Sequence, residues 1–274
     1  MAILVLDSGV GGLTVLREVR AILPTEQIIY VGDDDGFPYG SWPEDALVER
    51  LVDLFAHYLN AHTIELAIVA CNTASTLIMP SLREAFDIPF VGTVPAIKPA
   101  TERTVSGLVS VLATPGTVNR SYTQSLIKKF AGDVAVNLVG SNNLAQLAEH
   151  YMQHREIDTK LLQREIAPCF VEQNAKRTDI VVLGCTHYPF LVNEMRKLAP
   201  WPVDWIDPSE AVAQRAFDVF DSRTIIQSPS NVLLPDLAYL TSNESNSAAQ
   251  RLLQGFGLHL QQHSPVELGS TYQP

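Results

Sequence analysis

Short apolar runs alternate with longer amphipathic segments along most of the chain. The runs are rich in Val, Ile and Leu and cover residues 2–6, 28–31, 66–70, 90–92, 108–113, 134–139, 180–183 and 203–206. Segments with helical spacing separate most of them, over residues 13–22, 45–59, 121–130 and 144–153. Because near-continuous apolar strands joined by helical crossovers form parallel sheets that are covered on both faces, this pattern predicts an α/β fold.

Two segments of the chain repeat one pattern. Residues 65–73 and residues 179–187 each run from an acidic residue through an apolar strand to a cysteine, followed by small polar residues that open a helix. The cysteines are Cys71 and Cys185. Open α/β sheets bind ligands beyond the carboxyl ends of their strands. The repeat therefore predicts two α/β halves of similar topology, which would place the two cysteines on opposite sides of one cleft if the halves face each other.

Composition and charge narrow the classes of protein. The formal net charge of −11 argues against a general nucleic-acid binder, whose surface would carry a basic patch. The N-terminus has no basic flank, its apolar run is shorter than a signal peptide requires, and no stretch approaches the roughly 20 apolar residues of a membrane span. These features favour a cytoplasmic protein. The three cysteines are widely spaced and contain no C-x-x-C pair, which argues against structural disulfides and against a metal site.

Two further segments interrupt the regular pattern. Pro80 lies inside the helical spacing of residues 73–86, so we expect that helix to kink or restart there. Residues 223–235 are polar and poorly periodic, and they predict a loop.

Cys71 and Cys185 occupy matching positions, each between a strand and a predicted helix N-terminus. Unpaired N–H groups and the positive end of the helix dipole favour a thiolate there. A single strand-end cysteine is more often a small buried hydrophobic residue, but two in matching settings favour a functional role. Inverting a stereocentre requires a base on one face of a carbon and an acid on the other, and two nearly equivalent thiols meet that demand. Cys169 has no such setting, and we assign it to packing.

Polar residues near the strand ends complete a candidate site. Asp7 opens the sequence Asp-Ser-Gly-Val-Gly-Gly over residues 7–12, whose spacing fails the nucleotide-binding patterns. Asp7 either belongs to a plain strand–helix connection or accepts a substrate ammonium group or orients a thiol. His187 is either a capping or core histidine or a proton partner for the neighbouring thiol. The donors that could hold carboxylates together with helix-terminus amides are Asn72, Thr73 and Thr186.

Three adjacent aspartates, Asp33 to Asp35, lie in a glycine-containing loop over residues 32–40. A cation site is one interpretation of this cluster. Its spacing does not match a calcium loop, and we favour a solvated acidic turn.

These motifs together resemble those of the glutamate racemases, the cofactor-independent enzymes that make D-glutamate for bacterial peptidoglycan. The resemblance runs from about residue 2 to residue 217, with a weaker match beyond. The motifs that carry it are the loop over residues 7–12, Pro-Tyr-Gly over residues 38–40, Ala-Cys-Asn-Thr-Ala over residues 70–74 and Gly-Cys-Thr-His-Tyr-Pro over residues 184–189.

The resemblance implies an isomerase that racemises L-glutamate to D-glutamate by a two-thiol mechanism, without a cofactor or a metal. Cys71 and Cys185 would be the proton-transfer residues, assisted by Asp7 and His187, and Glu149 would stand at the family's further acidic position. The substrate-binding residues that the resemblance implies are Asp7, Ser8, Pro38, Tyr39, Gly40, Asn72, Thr73, Thr117, Thr186 and His187.

The family fold also implies the domain organisation. It has two similar parallel-sheet α/β domains with the active site in the cleft between them, and the chain returns to the first domain at its end. The first domain would comprise residues 1–95 and 209–274, and the second residues 96–208. Two stretches depart from the family pattern and could alter loop mobility, substrate fit or regulation: Asp-Asp-Gly over residues 34–36 stands in place of Thr-Ala-Arg, and Ser-Asn-Asn over residues 141–143 in place of a Cys-Pro pattern.

Other functions stay open on the residues alone. One is a racemase or decarboxylase acting on another small acid such as aspartate, although decarboxylase relatives generally keep only one of the two thiols. Another is a non-catalytic binding protein on the same fold. Because some racemases of this family inhibit DNA gyrase, a gyrase interaction is a further expectation. We expect a homodimer, but no residue pattern specifies the oligomeric state or activation by a cell-wall precursor.

Overall fold

The computed structural model describes residues 2–153, 156–173, 175–222, 234–242 and 247–261. Within them the chain divides into two compact units. The first takes its residues from Met1–Thr93 and Ser209–Pro274, and the second from Val94–Pro208. The chain therefore passes between the units after Thr93 and after Pro208, whereas the boundaries predicted from the family fold lie after residues 95 and 208.

Strands and helices alternate through most of the described residues. The strands are β1 (Ala2–Asp7), β2 (Gln27–Gly32), β3 (Ile64–Val69), β4 (Phe90–Gly92), β5 (Leu108–Ala113), β6 (Ala135–Gly140), β7 (Glu172–Gln173), β8 (Lys176–Arg177), β9 (Ile180–Gly184), β10 (Asp204–Ile206), β11 (Asp236–Leu240) and β12 (Leu258–Leu260). The α-helices are α1 (Leu13–Ile22), α2 (Glu44–Ala61), α3 (Asn72–Ala85), α4 (Ile97–Arg103), α5 (Pro115–Val118), α6 (Ser121–Phe130), α7 (Leu144–Met152), α8 (Thr159–Ile166), α9 (Val192–Leu198), α10 (Ser209–Asp221) and α11 (Ser247–Gly255). Short 3-10 helices cover Asp34–Gly36, Tyr39–Ser41, Ala167–Cys169 and Tyr188–Leu191.

The first unit is built on a six-stranded parallel sheet with the strand order β12-β11-β2-β1-β3-β4. Every residue of β1 is buried, which explains why its apolar run is continuous and not alternating. Helices α2 and α3 cover one face through a core cluster that includes Leu51, Phe55 and Ile78. Helix α10 packs against α1 and against the strands β3 and β4.

The second unit is built on a four-stranded parallel sheet with the order β10-β9-β5-β6. Helix α4 packs Ile97 against a cluster that includes Val111 and Val182. Ala113, the last residue of β5, lies opposite the last residues of β6 and β9. Three strands of this unit therefore end together at one edge of the sheet, and the chain segments that leave them are neighbours.

Parallel sheets with helical crossovers in both units confirm the predicted fold class. The predicted restart at Pro80 is wrong, because α3 continues through it without a break. Ile78, Met79 and Leu82 are buried around the proline, and this packing outweighs the hydrogen bond that a proline removes, a loss of about 3 kcal/mol.

The C-terminal region holds two strands that the sequence patterns miss. The strands β11 and β12 extend the first sheet beyond β2. Of the loop predicted over residues 223–235, residues 223–233 lie outside the described residues. No helix in the described part of the chain combines the length and the hydropathy that a bilayer crossing requires.

Candidate active site

Asp7 lies at the carboxyl end of β1 and is fully buried. Its carboxylate accepts a hydrogen bond from the Gly9 backbone N–H at 3.1 Å, and the Tyr30 hydroxyl donates to the Gly9 carbonyl at 2.5 Å. A Cβ on Gly12 would lie 2.7 Å from the Asp7 Cβ, so the turn closes tightly over the carboxylate. Residues 7–12, which include the buried Ser8, therefore form a compact connection that fixes Asp7 where the strand ends.

Cys71 lies at the end of the neighbouring strand. The Ala70 backbone N–H donates to the Leu6 carbonyl at 2.8 Å, which holds the ends of β1 and β3 side by side. Cys71 is the N-cap residue of α3 and is 7% exposed. The sequence predicts this setting, in which the amide groups and the dipole of a 14-residue helix favour a thiolate.

Asn72 and Thr73 open the first turn of α3 and are both buried. The side-chain amide of Asn72 finds no hydrogen-bond partner for either its nitrogen or its oxygen among the described residues. Leaving a buried polar group unpaired costs about 1–3 kcal/mol. An asparagine kept in this state next to Cys71 is therefore suited to hydrogen-bond a ligand.

The three aspartates of the β2–α2 connection do not form a solvated acidic turn. Asp33 is fully buried, and its two carboxylate oxygens accept hydrogen bonds from Nε and Nη2 of Arg50 at 2.7 and 2.6 Å. The backbone N–H of Ser242 donates to the Asp34 carboxylate at 2.9 Å. Only Asp35 is exposed, as predicted. The prediction fails because Arg50, from the following helix, neutralises the first aspartate.

The connection also carries the Pro-Tyr-Gly motif of Pro38, Tyr39 and Gly40. Tyr39 is buried, and its hydroxyl donates to the Asp33 carboxylate at 2.8 Å. Burial and the nearby charge of Asp33 raise the pKa of Tyr39 well above its usual value, so its phenol stays protonated. Gly40 is exposed, and a Cβ there would meet no atom within 4 Å, which leaves its backbone open to a ligand.

In the second unit, Cys185, His187 and Glu149 form a chain of contacts. Cys185 follows the last residue of β9 and is 7% exposed. Its sulfur lies 3.8 Å from Nδ1 of His187, within the range of a sulfur hydrogen bond. Nε2 of the same ring lies 2.8 Å from Oε1 of Glu149. Glu149 was expected only from the family resemblance, and the structure brings it into direct contact with His187.

This arrangement assigns roles to the two ring nitrogens of His187. When Nε2 carries a proton it donates to the Glu149 carboxylate, which leaves the lone pair of Nδ1 facing the Cys185 thiol. The imidazole can then accept the thiol proton, and the carboxylate stabilises the imidazolium that results. The three residues can therefore exchange a proton between a thiol and a buried base.

Hydrogen bonds at the start of α7 hold the helix that carries Glu149. Asn143 Nδ2 donates to the Glu165 carboxylate at 2.6 Å, and the Ser141 hydroxyl donates to the same carboxylate. The Leu144 backbone N–H in turn donates to the Ser141 oxygen at 3.2 Å. The departure from the family pattern over residues 141–143 thus forms a polar brace at this helix end.

Thr117 and Thr186 lie on the chain segments that follow β5 and β9. Thr117 is fully buried in α5, which follows β5, and its hydroxyl lies 3.1 Å from the hydroxyl of Thr114. Thr186 directly follows Cys185 and is also buried. Because β5 and β9 are paired through Ala113 and Gly184, the segments that carry the two threonines leave the sheet at the same edge.

The two cysteines differ in the type of helix that comes after them. An α-helix begins directly after Cys71, but the segment after Cys185 is a 3-10 helix over Tyr188–Leu191, and α9 begins only at Val192. The predicted helix N-terminus at Cys185 is therefore wrong. Pro189 lies in the first turn of that segment, where the backbone N–H that a proline lacks would have no intrahelical partner.

Cys169 lies outside this chemistry. It is fully buried, and burial raises the pKa of its thiol to about 12, so the thiol stays neutral, as expected of a packing residue. A metal site is also missing from the described residues, because no group of three or more His, Cys, Asp or Glu side chains among them is arranged to hold a metal ion.

The sequence patterns miss two residues that hold parts of the site in place, Arg50 and Glu165. Arg50 shows no motif, and its link to Asp33 spans 17 positions of the chain. Glu165, which braces α7, lies 24 positions from Ser141. Neither contact follows the periodicity of a helix or a strand. For Arg50, the one usable signal in the sequence is a basic residue on the predicted helix that follows the acidic turn.

Comparisons with known proteins agree on the family. Residues 9–216 match the model of the Asp/Glu/hydantoin racemase family. A glutamate racemase of Brucella anthropi is 57% identical over 258 residues, which cover 94% of this chain and 92% of that protein. The crystal structure of Escherichia coli glutamate racemase in complex with L-glutamate and the activator UDP-MurNAc-ala matches with a TM-score of 0.84 and 38% identity, covering 94% of this chain and 96% of that one.

A third comparison is the Francisella tularensis glutamate racemase in complex with D-glutamate, with a TM-score of 0.75, 27% identity, and coverage of 96% of this chain and 97% of that one. The fold and these matches define the protein as an amino-acid racemase, an isomerase. The chain belongs to the Asp/Glu/hydantoin racemase family, and its relatives there at 55–57% identity are glutamate racemases. The resemblance drawn from the sequence motifs is confirmed.

Proposed function

We propose that the protein interconverts L-glutamate and D-glutamate with two thiols and no cofactor. The observation that carries the proposal is the contact chain from Cys185 through His187 to Glu149, because it gives one thiol a buried proton partner. Cys71, at the N-terminus of α3, is the second thiol. The names of the relatives supply the substrate, and the chemistry of inversion supplies the need for two groups.

The reaction consists of two proton transfers at one carbon. A thiolate removes the proton from Cα, so the C–H bond breaks and an S–H bond forms. The electron pair stays on Cα and is delocalised into the substrate carboxylate. The second thiol then delivers its proton to the other face of Cα, and in the reverse direction the two cysteines exchange roles. No electron leaves the substrate, so the balance requires no redox partner.

The neighbouring groups of each thiol receive matching roles. His187 accepts and returns the proton of Cys185, and Glu149 stabilises the imidazolium that forms. Asp7 accepts a hydrogen bond from the substrate ammonium group or orients Cys71. Backbone amides at the α3 N-terminus bind a carboxylate, as anions bind at helix N-termini. The substrate-binding residues that we propose are Ser8, Pro38, Tyr39, Gly40, Asn72, Thr73, Thr117, Thr186 and His187.

We further propose that the D-glutamate product supplies peptidoglycan synthesis. The support is the family alone, whose members make this product for the cell wall. The expected homodimer and the expected gyrase interaction rest on no contact in the described residues, and they stay predictions.

Circular dichroism of L-glutamate mixed with the purified protein tests the substrate and the cofactor together. We expect the glutamate signal to decay to zero without any added cofactor, and the L-aspartate signal to persist. A flat glutamate trace beside a decaying aspartate trace would transfer the mechanism to the other substrate.

Single cysteine variants test the mechanism. Cys71→Ala and Cys185→Ala should each lower kcat by about 10³-fold, a typical share for a proton-transfer group. Cys169→Ala is the matched control, because the same atom is removed from a fully buried cysteine outside the proposed chemistry. Full turnover in either of the first two variants would refute the two-thiol proposal.

A further inference from the structure

The turn between β2 and α2 is organised around one buried arginine. Arg50 lies on α2 and is 3% exposed. Its guanidinium binds both carboxylate oxygens of Asp33, at 2.7 and 2.6 Å, and reaches Asp35 at 3.2 Å. It also lies over the Trp42 ring at 5.2 Å. One side chain thus contacts the beginning, the middle and the end of the turn.

Asp33 connects Arg50 to the Pro-Tyr-Gly motif. Besides the two bonds from Arg50, its carboxylate accepts the Tyr39 hydroxyl at 2.8 Å and the Thr241 hydroxyl at 2.7 Å. Two carboxylate oxygens offer about four lone-pair sites, so these four bonds fill them. Because Asp33 is also fully buried, its carboxylate is not exposed to a bound substrate.

Tyr39 is fixed through its hydroxyl and not only through its ring. The bond to Asp33 determines the direction of the phenol, and two local backbone hydrogen bonds span the motif. The Ser41 N–H donates to the Pro38 carbonyl, and the Trp42 N–H donates to the Tyr39 carbonyl, each at 3.3 Å. Gly40 lies between the residues that these bonds connect, and its backbone is open to a ligand.

Gly36 makes room for this arrangement. A Cβ at Gly36 would lie 2.5 Å from Oδ2 of Asp33 and 2.7 Å from Nε of Arg50. A side chain at position 36 would displace the ion pair, so the glycine and the buried arginine belong together.

We propose that Arg50 and Asp33 are positioning residues for substrate binding, which fix Tyr39 and through it the backbone of the Pro38–Gly40 segment. Thr241, directly after β11, donates to the same carboxylate from the C-terminal part of the first unit. This inference rests on the proposed glutamate racemisation, because its kinetic test measures KM for glutamate. Replacing a buried ion pair with apolar side chains often preserves stability, so stability alone does not explain the pair of Arg50 and Asp33. We assign to the two-pronged contact of the Arg50 guanidinium the role of fixing the direction of the Tyr39 hydroxyl.

Racemisation kinetics of Arg50→Lys, Tyr39→Phe and the double variant test the proposal. Lysine keeps the charge but cannot bind both oxygens in a fork. We expect each single variant to raise KM for glutamate about tenfold, the factor for one lost charge-assisted hydrogen bond, with kcat changed less than threefold. The double variant should show no further rise, because both changes act on the same contact.

Arg20→Lys is the matched control, since Arg20 forms another arginine–aspartate pair of the first unit, with Asp236, outside the turn. We expect its KM to equal that of the wild type. A multiplicative rise in KM in the double variant, or an unchanged KM in Arg50→Lys, would overturn the proposal.

Amide hydrogen exchange measures the positioning without any substrate. The backbone amides of Gly36, Ser41 and Trp42 should exchange at least tenfold faster in Arg50→Lys than in the wild type, and at the wild-type rate in Arg20→Lys. Unchanged exchange in Arg50→Lys would overturn the proposal whether or not glutamate is the substrate. A wild-type protein that fails to racemise glutamate would refute the proposed function instead, and the exchange rates would then decide this inference on their own.

Discussion

Glu149→Gln isolates the charge at the far end of the contact chain from Cys185. Glutamine keeps the size of the side chain and an oxygen that can accept the Nε2–H of His187, so the 2.8 Å contact can persist without its negative charge. A hydrogen bond to a charged group contributes about 1.5–3 kcal/mol, and a neutral one about 0.5–1.5 kcal/mol. Because the Glu149 side chain is 15% exposed, we take the lower end of the difference, about 1 kcal/mol.

This loss corresponds to a fall of about fivefold in kcat/KM, since 1.4 kcal/mol is a factor of ten. The fall should be equal for L-glutamate and D-glutamate, because two enantiomers have the same free energy and the equilibrium constant of a racemase is therefore one. The directions should separate in the isotope effect. With glutamate deuterated at Cα, the effect should grow for the enantiomer from which Cys185 removes the proton, because that step becomes slower.

Initial rates by circular dichroism, with protonated and deuterated substrate, measure both quantities. Glu194→Gln, at an exposed ion pair on α9 of the same unit, is the control and should match the wild type. A Glu149→Gln enzyme with wild-type kcat/KM, or with isotope effects unchanged for both enantiomers, would refute the role given to this carboxylate.

Three further predictions concern stability. Asn72→Leu should raise the free energy of unfolding by about 1 kcal/mol, because it removes an unpaired buried amide, while raising KM; a destabilised variant in a urea titration would contradict this. Gly184→Ala should cost about 1–3 kcal/mol, since its Cβ would lie 2.8 Å from the Ala113 Cβ, and Ala113→Gly in the same chain should recover most of the loss in a thermal melt. The raised pKa of Cys169, about 12 against an ordinary value of 9.0, predicts stability that is complete below pH 9 and declines as the pH rises towards 12. Urea unfolding at about pH 8 and about pH 10.5, on either side of the ordinary thiol pKa, should show a larger decline in the wild type than in Cys169→Ala, and parallel declines would disprove the assignment.

Periodicity was sufficient for the elements that carry a continuous apolar run. The strands β1, β3, β5 and β9 contain mostly Val, Ile, Leu and Ala and are buried throughout or nearly so, so composition and burial agree. The strands β11 and β12 escaped prediction because their composition is mixed and gives no continuous apolar run. β11 forms because the open edge of β2 supplies hydrogen-bond partners, and β12 then pairs with β11; no local pattern records either partner.

The candidate site divides in the same way. Cys71 and Cys185 could be singled out because each directly follows a recognisable strand, and His187 because it stands two residues from a thiol. The ion pair inside the acidic turn could not be predicted, since Arg50 reaches Asp33 only once α2 has packed on the sheet. The contact between Glu149 and His187 spans 38 positions and depends in the same way on where α7 packs.

The sequence by itself determined the α/β class, the strand ends on which both thiols lie, and the family, because each of these depends on short-range patterns of apolar and polar residues. Only the tertiary structure decided which polar side chains meet: Arg50 with Asp33, and Glu149 with His187. Hydrogen bonds and ion pairs act over about 3 Å and depend on direction. Residues far apart in the chain meet within that distance only where the packing of whole helices and strands has brought them together.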